Sequence, residues 1–258
     1  MTWATTTDID VFLAAAGDFL RTRPVDNTVL LTEAAYLSAR PSSAPDQLYG
    51  WWTGGGAFVQ APAHPPVLSD LPAEALAALP VTPPFGVDGR LVDTVTAVWR
   101  RRGGTLRERS RVRLFRLGEF QRPPRVPGIA RLATLADRPL LIKWYADLMA
   151  AFPGDPSEPA YVVDDPLSFG GMQLWEVDGV PVAMASRSRT VAGMTRLGAV
   201  YAPHDDRHGE AVFAAVCEAA REVAHDVLVF AAAGDEAAAR RYRELGFVPV
   251  LDRVMLQS

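Results

Sequence analysis

Thiol chemistry is nearly absent from this chain: Cys217 is the single cysteine among 258 residues. That excludes an intramolecular disulfide and leaves no partner for a redox pair. Histidine is scarce as well, with four residues at 64, 204, 208 and 225, and together with Cys217 they form no ligand spacing, so no metal is expected. No window supplies the ~20 consecutive apolar residues of a membrane span. Cations are not in excess: 26 Lys and Arg against 30 Asp and Glu give a net charge of −4. Binding a nucleic-acid backbone asks for the opposite balance, so neither a nucleic-acid nor a membrane partner is expected. The opening Met1 to Asp10 lacks the basic and apolar regions of a secretory signal, and the expected location is a reducing cytoplasm. What the chain does have is apolar material, 49% of its residues, enough for one large core or two modest ones.

In the first half, Val11, Phe12, Ala15, Ala16, Phe19 and Leu20 recur at helical spacing and predict a helix over residues 8–20, with Asp8 placed to cap it. A second helix is expected over 27–39. Strands at 48–52 and 57–61 flank Thr53-Gly54-Gly55-Gly56, a hairpin by its glycines. A strand fragment at Val67, a short helix over 72–79, an extended proline-rich piece, a helix over 90–102 and a strand over 107–117 complete this half. Arg107, Arg109, Arg111 and Arg113 fall on one face of that last strand. They read either as an anion-facing strip or as a solvated edge whose charges prevent aggregation. Residues 120–128, with three prolines and two arginines, read as a linker.

The second half opens with a strand over 129–133 and a helix introduced by Thr134 and Asp137, whose Leu140, Leu141, Trp144, Tyr145, Leu148 and Met149 face inward. After a loop and a short helix over 160–167, strands 172–177 and 180–188 are joined by Asp178-Gly179, a hairpin turn. A third strand, 194–201, leads through a polar loop ending at Gly209 into an Ala-rich helix. Strand, loop and helix in that order gather backbone N–H groups around an anion, so this is a candidate phosphate site. A strand over 227–231, a helix over 236–245 and a strand over 247–250 follow. Cys217 reads as buried packing within the Ala-rich helix.

Two stretches carry a resemblance: Met194 to Ala220, with His208-Gly209-Glu210-Ala211, and Gly234 to Phe247, with Asp235, Ala238, Tyr242, Gly246 and Phe247. Together they resemble the C-terminal half of the GCN5-related N-acetyltransferase (GNAT) family, in which V-x-x-x-x-R-G-x-G-x-G/A binds the acyl-CoA pyrophosphate and N-x-x-A-x-x-x-Y-x-x-x-G-F supplies a tyrosine. The resemblance implies an α/β (α+β) fold of two GNAT-like halves, each a mixed, mainly antiparallel twisted sheet flanked by helices. Residues 1–120 would be a degenerate copy, 121–128 a linker and 129–258 the acetyltransferase domain.

By the same resemblance, Arg207, His208, Gly209, Glu210 and Ala211 surround the pyrophosphate. Backbone groups of Ala199, Val200 and Tyr201 hold pantetheine where the strand splays from its neighbour, and Asp235 caps the second helix. Tyr242 would protonate the departing thiolate, and Glu176, His204 and Asp205 are positional candidates for the base. Asp206 departs from the pattern, a carboxylate where the family has Arg or Gln. The implied activity is transfer of an acyl group from acetyl-CoA, or another acyl-CoA, to an amine of a small molecule or peptide, by a monomer or homodimer. The alternative is a catalytically degenerate acyl-CoA-binding or interaction protein.

Overall fold

The computed structural model describes every residue, Met1–Ser258. Its first elements are β1 (Trp3–Thr6), α1 (Ile9–Thr22), α2 (Thr28–Ala39), β2 (Leu48–Trp52), β3 (Ala57–Gln60), β4 (Val67–Leu68), α3 (Ala73–Ala77), β5 (Phe85–Asp88), α4 (Val92–Arg101) and β6 (Arg107–Leu117). Then come β7 (Ile129–Leu132), α5 (Arg138–Met149), α6 (Asp165–Ser168), β8 (Met172–Val177), β9 (Val180–Arg187), β10 (Met194–Tyr201), α7 (Asp206–Val223), β11 (Asp226–Ala232), α8 (Glu236–Glu244) and β12 (Phe247–Gln257). From β1 to β6 and again from β7 to β12, the order is strand, two helices, three strands, helix, strand, helix, strand.

Local chemistry explains most of these boundaries. The Asp8 carboxylate accepts from the amides of Asp10 and Val11 at 2.9 and 3.2 Å, which starts α1 and places Phe12, Ala16 and Leu20 inward, each at most 2% exposed. Thr134 and Asp137 form a reciprocal capping box. The chain then makes one 3₁₀ turn, Leu135–Asp137, before α5, so Pro139 is the second residue of that helix, where a missing N–H costs nothing. The turn between β8 and β9 takes Asp178 and Gly179 to φ of 52° and 77°, the left-handed pair a two-residue hairpin requires.

The chain forms two compact units. One comprises Met1–Phe115 with Phe230–Ala238 and Pro249–Ser258, so these two late segments join the first half rather than staying with residues 129–229. Its strands run β1-β2-β3-β4-β5-β12-β6, and its core gathers Phe58, Leu68, Leu76, Phe85, Val95 and Val254. The other comprises Arg116–Val229 and Ala239–Val248. Its strands run β11-β10-β9-β8-β7, with Leu141, Trp144, Val163, Met172, Leu174 and Met184 as core.

Several expectations change. Strands β1 and β5 were not anticipated, β12 extends to Gln257, and α7 begins at Asp206 rather than after Gly209. The arginine face of β6 is no open anion strip. Arg111 is bound to Glu108 at 2.7 Å and to Asp252 at 3.2 Å, and Arg113 to Asp252 at 2.8 Å.

Candidate functional site

β10 is the element around which the site is built, and both its edges are irregular. Its parallel ladder with β11 covers only Met194↔Asp226, Thr195↔Val227 and Arg196↔Leu228, after which the strands part. On the other edge the register with β9 slips between Leu197↔Arg187 and Val200↔Ala185. Gly198 and Ala199 therefore stand opposite Ser186 alone, a β-bulge. A Cβ at Gly198 would lie 2.8 Å from Ser186 Oγ, which is why glycine occupies the bulge. Residues 197–201 thus have a ladder partner on one side, and alternate residues turn N–H and C=O toward the vacated side.

α7 follows, and its first turn corrects the sequence reading. Asp205 is the N-cap, accepting from the Arg207 amide at 3.0 Å. It also holds the Arg207 guanidinium through Nε at 3.1 Å and Nη2 at 2.8 Å. Those bonds pull the Asp205 carboxyl down to about 2. The His208 amide is bonded to the Asp205 carbonyl at 3.0 Å. Gly209, Glu210 and Ala211 are therefore the fourth to sixth residues of the helix, positions whose N–H groups bond to carbonyls four residues back. Their amides form no anion cradle. The polar run Asp206-Arg207-His208 reads as loop in sequence because the cap that makes it helical is another acid immediately before it.

Between β10, α7 and α8 lies a cavity of about 210 Å³. Val200, Phe213 and Leu245 make its apolar wall, Asp206, Glu210 and Arg241 its charged rim, and Gly209 and Tyr242 complete it. Gly209 is buried, and a Cβ there would sit 3.4 Å from Ala202 Cβ. The Tyr242 ring stacks on Phe213, centroids 5.5 Å apart and 24° between planes, and leans on Phe247 at 5.8 Å. The start of α8 is fixed by Asp235, whose Oδ1 accepts from the Ala238 amide at 2.9 Å.

Of the residues singled out in sequence, the structure brings Val200, Asp206, Gly209, Glu210 and Tyr242 together at this cavity. Ala199 lies in the bulge, and Tyr201 packs on Trp144, centroids 6.2 Å apart. Arg207 is exposed and held by Asp205. His208 is in the first turn of α7 but not in the cavity wall. Ala211 faces a different cavity, of about 390 Å³, beside Trp175 and the proline segment. Glu176, the candidate base, is not brought to the site. Its Oε1 accepts from Arg131 Nε at 2.6 Å, and Arg131 also grips Asp137 at 2.7 Å. Cys217 is fully buried, and burial pushes its thiol well above the usual range, so it supplies no thiolate. Arg241 went unread in sequence, although its place directly before Tyr242 on one helix was the available signal. It is the one cation in a lining that also holds two carboxylates.

No family model matches the chain, and no curated protein matches it. Solved structures do match. A GNAT-family acetyltransferase from Colwellia psychrerythraea superposes with a TM-score of 0.62 at 10% identity, covering 100% of both chains. A GCN5-related N-acetyltransferase from Sphaerobacter thermophilus gives 0.58 at 13%, covering 99% of this chain and 95% of that one. One from Kribbella flavida gives 0.56 at 20%, covering 79% and 86%. The chain therefore has the GNAT fold, a mixed, mostly antiparallel sheet flanked by helices.

Proposed function

We propose that this protein is an acyl-CoA-dependent N-acyltransferase, with acetyl-CoA or another acyl-CoA as donor and an amine of a small molecule or peptide as acceptor. The observation that carries the reading is the parting of β10 from β11 beside a cavity that holds Tyr242. The vacated edge of residues 197–201 offers backbone groups to a pantetheine arm. In the reaction the amine nitrogen attacks the thioester carbonyl carbon, and the carbonyl oxygen becomes an oxyanion. An N–H of the free edge near Val200 stabilises that charge. As the C–S bond breaks, the Tyr242 phenol gives its proton to the thiolate and the ammonium proton leaves to water. Arg241 is the side chain suited to the donor's phosphates. The repeated element order supports reading the chain as a tandem of two GNAT-like halves, the second carrying the site.

A second reading, a GNAT-fold acyl-CoA-binding or interaction protein without turnover, is favoured by one feature. Asp205 occupies the N-terminus of α7, with Asp206 and Glu210 beside it, and carboxylates repel a diphosphate. Acetyl-CoA binding and acyl transfer measured in the wild type separate the two, and Tyr242→Phe tests the tyrosine. The proposal expects acyl transfer to fall by roughly 10²- to 10⁴-fold, the usual range for a general acid, with acetyl-CoA affinity kept. An unchanged rate removes the tyrosine from the chemistry, whereas acetyl-CoA binding with no transfer to any amine in the wild type is the result the second reading expects.

A further inference from the structure

Several arginines of this protein are held by carboxylates. Arg90 is bound to Asp88 and Asp26, Arg113 to Asp252, Arg131 to Asp137 and Glu176, and Arg138 to Asp164. Arg187 departs from that pattern. It ends β9, opposite Leu197 and next to Ser186, the residue that faces the bulge. Its side chain is half-buried, and burial lowers its pKa with no carboxylate acting against that. Its Nη1 donates to the Ser188 carbonyl at 3.3 Å, and its guanidinium lies over the Phe169 ring at 5.3 Å. Arg189 lies over the same ring at 4.8 Å and donates to Asp165 at 2.8 Å. Two guanidiniums therefore share one aromatic ring, and only Arg189 is bonded to a carboxylate.

A desolvated cation without a counter-ion destabilises a fold, and a second cation beside it adds to that. The turn carrying the pair is held firmly to β10: Thr195 Oγ1 donates to the Ser188 carbonyl at 2.9 Å, and Ser188 Oγ accepts from the Arg196 amide at 3.0 Å. Ala185, opposite Val200, is two residues from Arg187, roughly 7 Å along the strand. An arginine fork on a fixed turn at that range is suited to planar oxyanions.

We propose that Arg187, with Arg189 beside it, binds an oxyanion carried by the acyl acceptor, so that the acceptor is an amine that also bears a carboxylate or a phosphate. This rests on the acyltransferase reading of the same strand, and neither a diphosphate donor nor the Tyr242 cavity uses these two arginines.

The test is calorimetric titration of the full chain with two matched pairs, glycine against glycinamide and phosphoethanolamine against ethanolamine. Acetyl transfer to each is measured alongside, and which pair discriminates identifies carboxylate or phosphate. Expected is binding of the anionic member at least tenfold tighter than its neutral partner. In Arg187→Met that preference falls by about 10- to 100-fold, the scale of one charge-assisted hydrogen bond, and Arg187→Lys retains part of it. The melting temperature of Arg187→Met stays level or rises, because the substitution removes a half-buried charge that has no carboxylate partner, whereas a purely structural arginine would lower it. Equal binding of both members of both pairs, or a preference that survives in Arg187→Met, overturns the proposal. If the preference holds but acetyl-CoA neither binds nor reacts, the anion site stands and the acyltransferase reading fails. If neutral amines are acetylated as well as anionic ones, the reading stands and the anion site fails.

Discussion

The two halves of the chain, β1 to β6 and β7 to β12, run through the same sequence of elements with opposite solutions after their inner strand. In the first, β4 is two residues long, with a single parallel pair, Val67↔Gly86. It leads to the five-residue α3, whose cap position is Pro72, a residue with no side-chain acceptor. Leu68, Leu71, Ala75, Leu76 and Leu79 are all at most 3% exposed there and join one cluster with Phe58 and Phe85. In the second, β10 has eight residues and α7 eighteen, and the corresponding place holds a cavity rimmed by Asp206, Glu210 and Arg241. Where the first unit fills the gap with leucine and gains stability, the second leaves it open and polar. An opening that forgoes burial and is lined by three charged groups is the place proposed above for the ligand.

Four experiments probe that contrast. The largest effect is expected from Phe58→Ala. Phe58 is fully buried, and its loss should lower stability by about 3–5 kcal/mol in urea titration. Acetyl-CoA affinity, measured where the variant is folded, should not change; a matching loss of affinity would tie the first unit to the donor site.

Next is a pH effect confined to the first unit. Burial, with Asp8 and Glu33 nearby, pushes the Tyr49 phenol up to about 12, so the folded state favours the neutral form. Its contribution is fully present below the unfolded value near 10 and is lost as pH rises toward 12, on the order of 2–3 kcal/mol. Stability measured between pH 9 and 12 should fall less steeply in Tyr49→Phe, and identical slopes contradict the assignment.

Smaller, and of opposite sign, is Gly209→Ala. The added methyl meets only ordinary contacts, Ala202 Cβ at 3.4 Å and Val200 Cγ1 at 3.8 Å, and alanine suits a helix interior better by roughly 0.5–1 kcal/mol. Thermal unfolding should therefore shift upward while acetyl-CoA binding weakens as the cavity narrows. A stabilised variant with unaltered binding would show that the glycine does not serve the donor. Smallest is Asp205→Asn, which keeps a cap acceptor but removes its charge and releases Arg207. Acetyl-CoA affinity should rise by about 2- to 5-fold, the scale of one charge at a helix terminus, and more so at low salt.

Periodicity and turn chemistry made much of the fold legible. The stripe of Phe12, Ala16 and Leu20 with Asp8 before it marked α1, the Asp178-Gly179 pair marked the β8–β9 hairpin, and β6 was readable from end to end. Strand β5 was hidden because Phe85–Asp88 follows two prolines, and a four-residue run among turn residues carries no period. The start of α7 was misread because Asp205 and Asp206 look alike in sequence, and only geometry tells the cap from the first helical residue. Of the residues lining the cavity, Tyr242 is named in sequence by motif spacing and Val200 by the family alignment alone. Glu176 was misplaced because its partner Arg131 is 45 residues away, and Arg187 went unnoticed because what distinguishes it is the lack of a counter-ion, a property of three-dimensional surroundings. Pairings across long sequence distances leave no local trace.

The account rests on the second unit's cavity holding an acyl-CoA. Calorimetric titration of acetyl-CoA into the wild-type chain and into Arg241→Glu addresses it most directly. One-to-one saturable binding, blocked by prior CoA and weakened at least tenfold in the variant, is the predicted result, since a favourable charge-assisted contact becomes a repulsive one. Absence of saturable heat in the wild type, or equal affinity in both proteins, would contradict it.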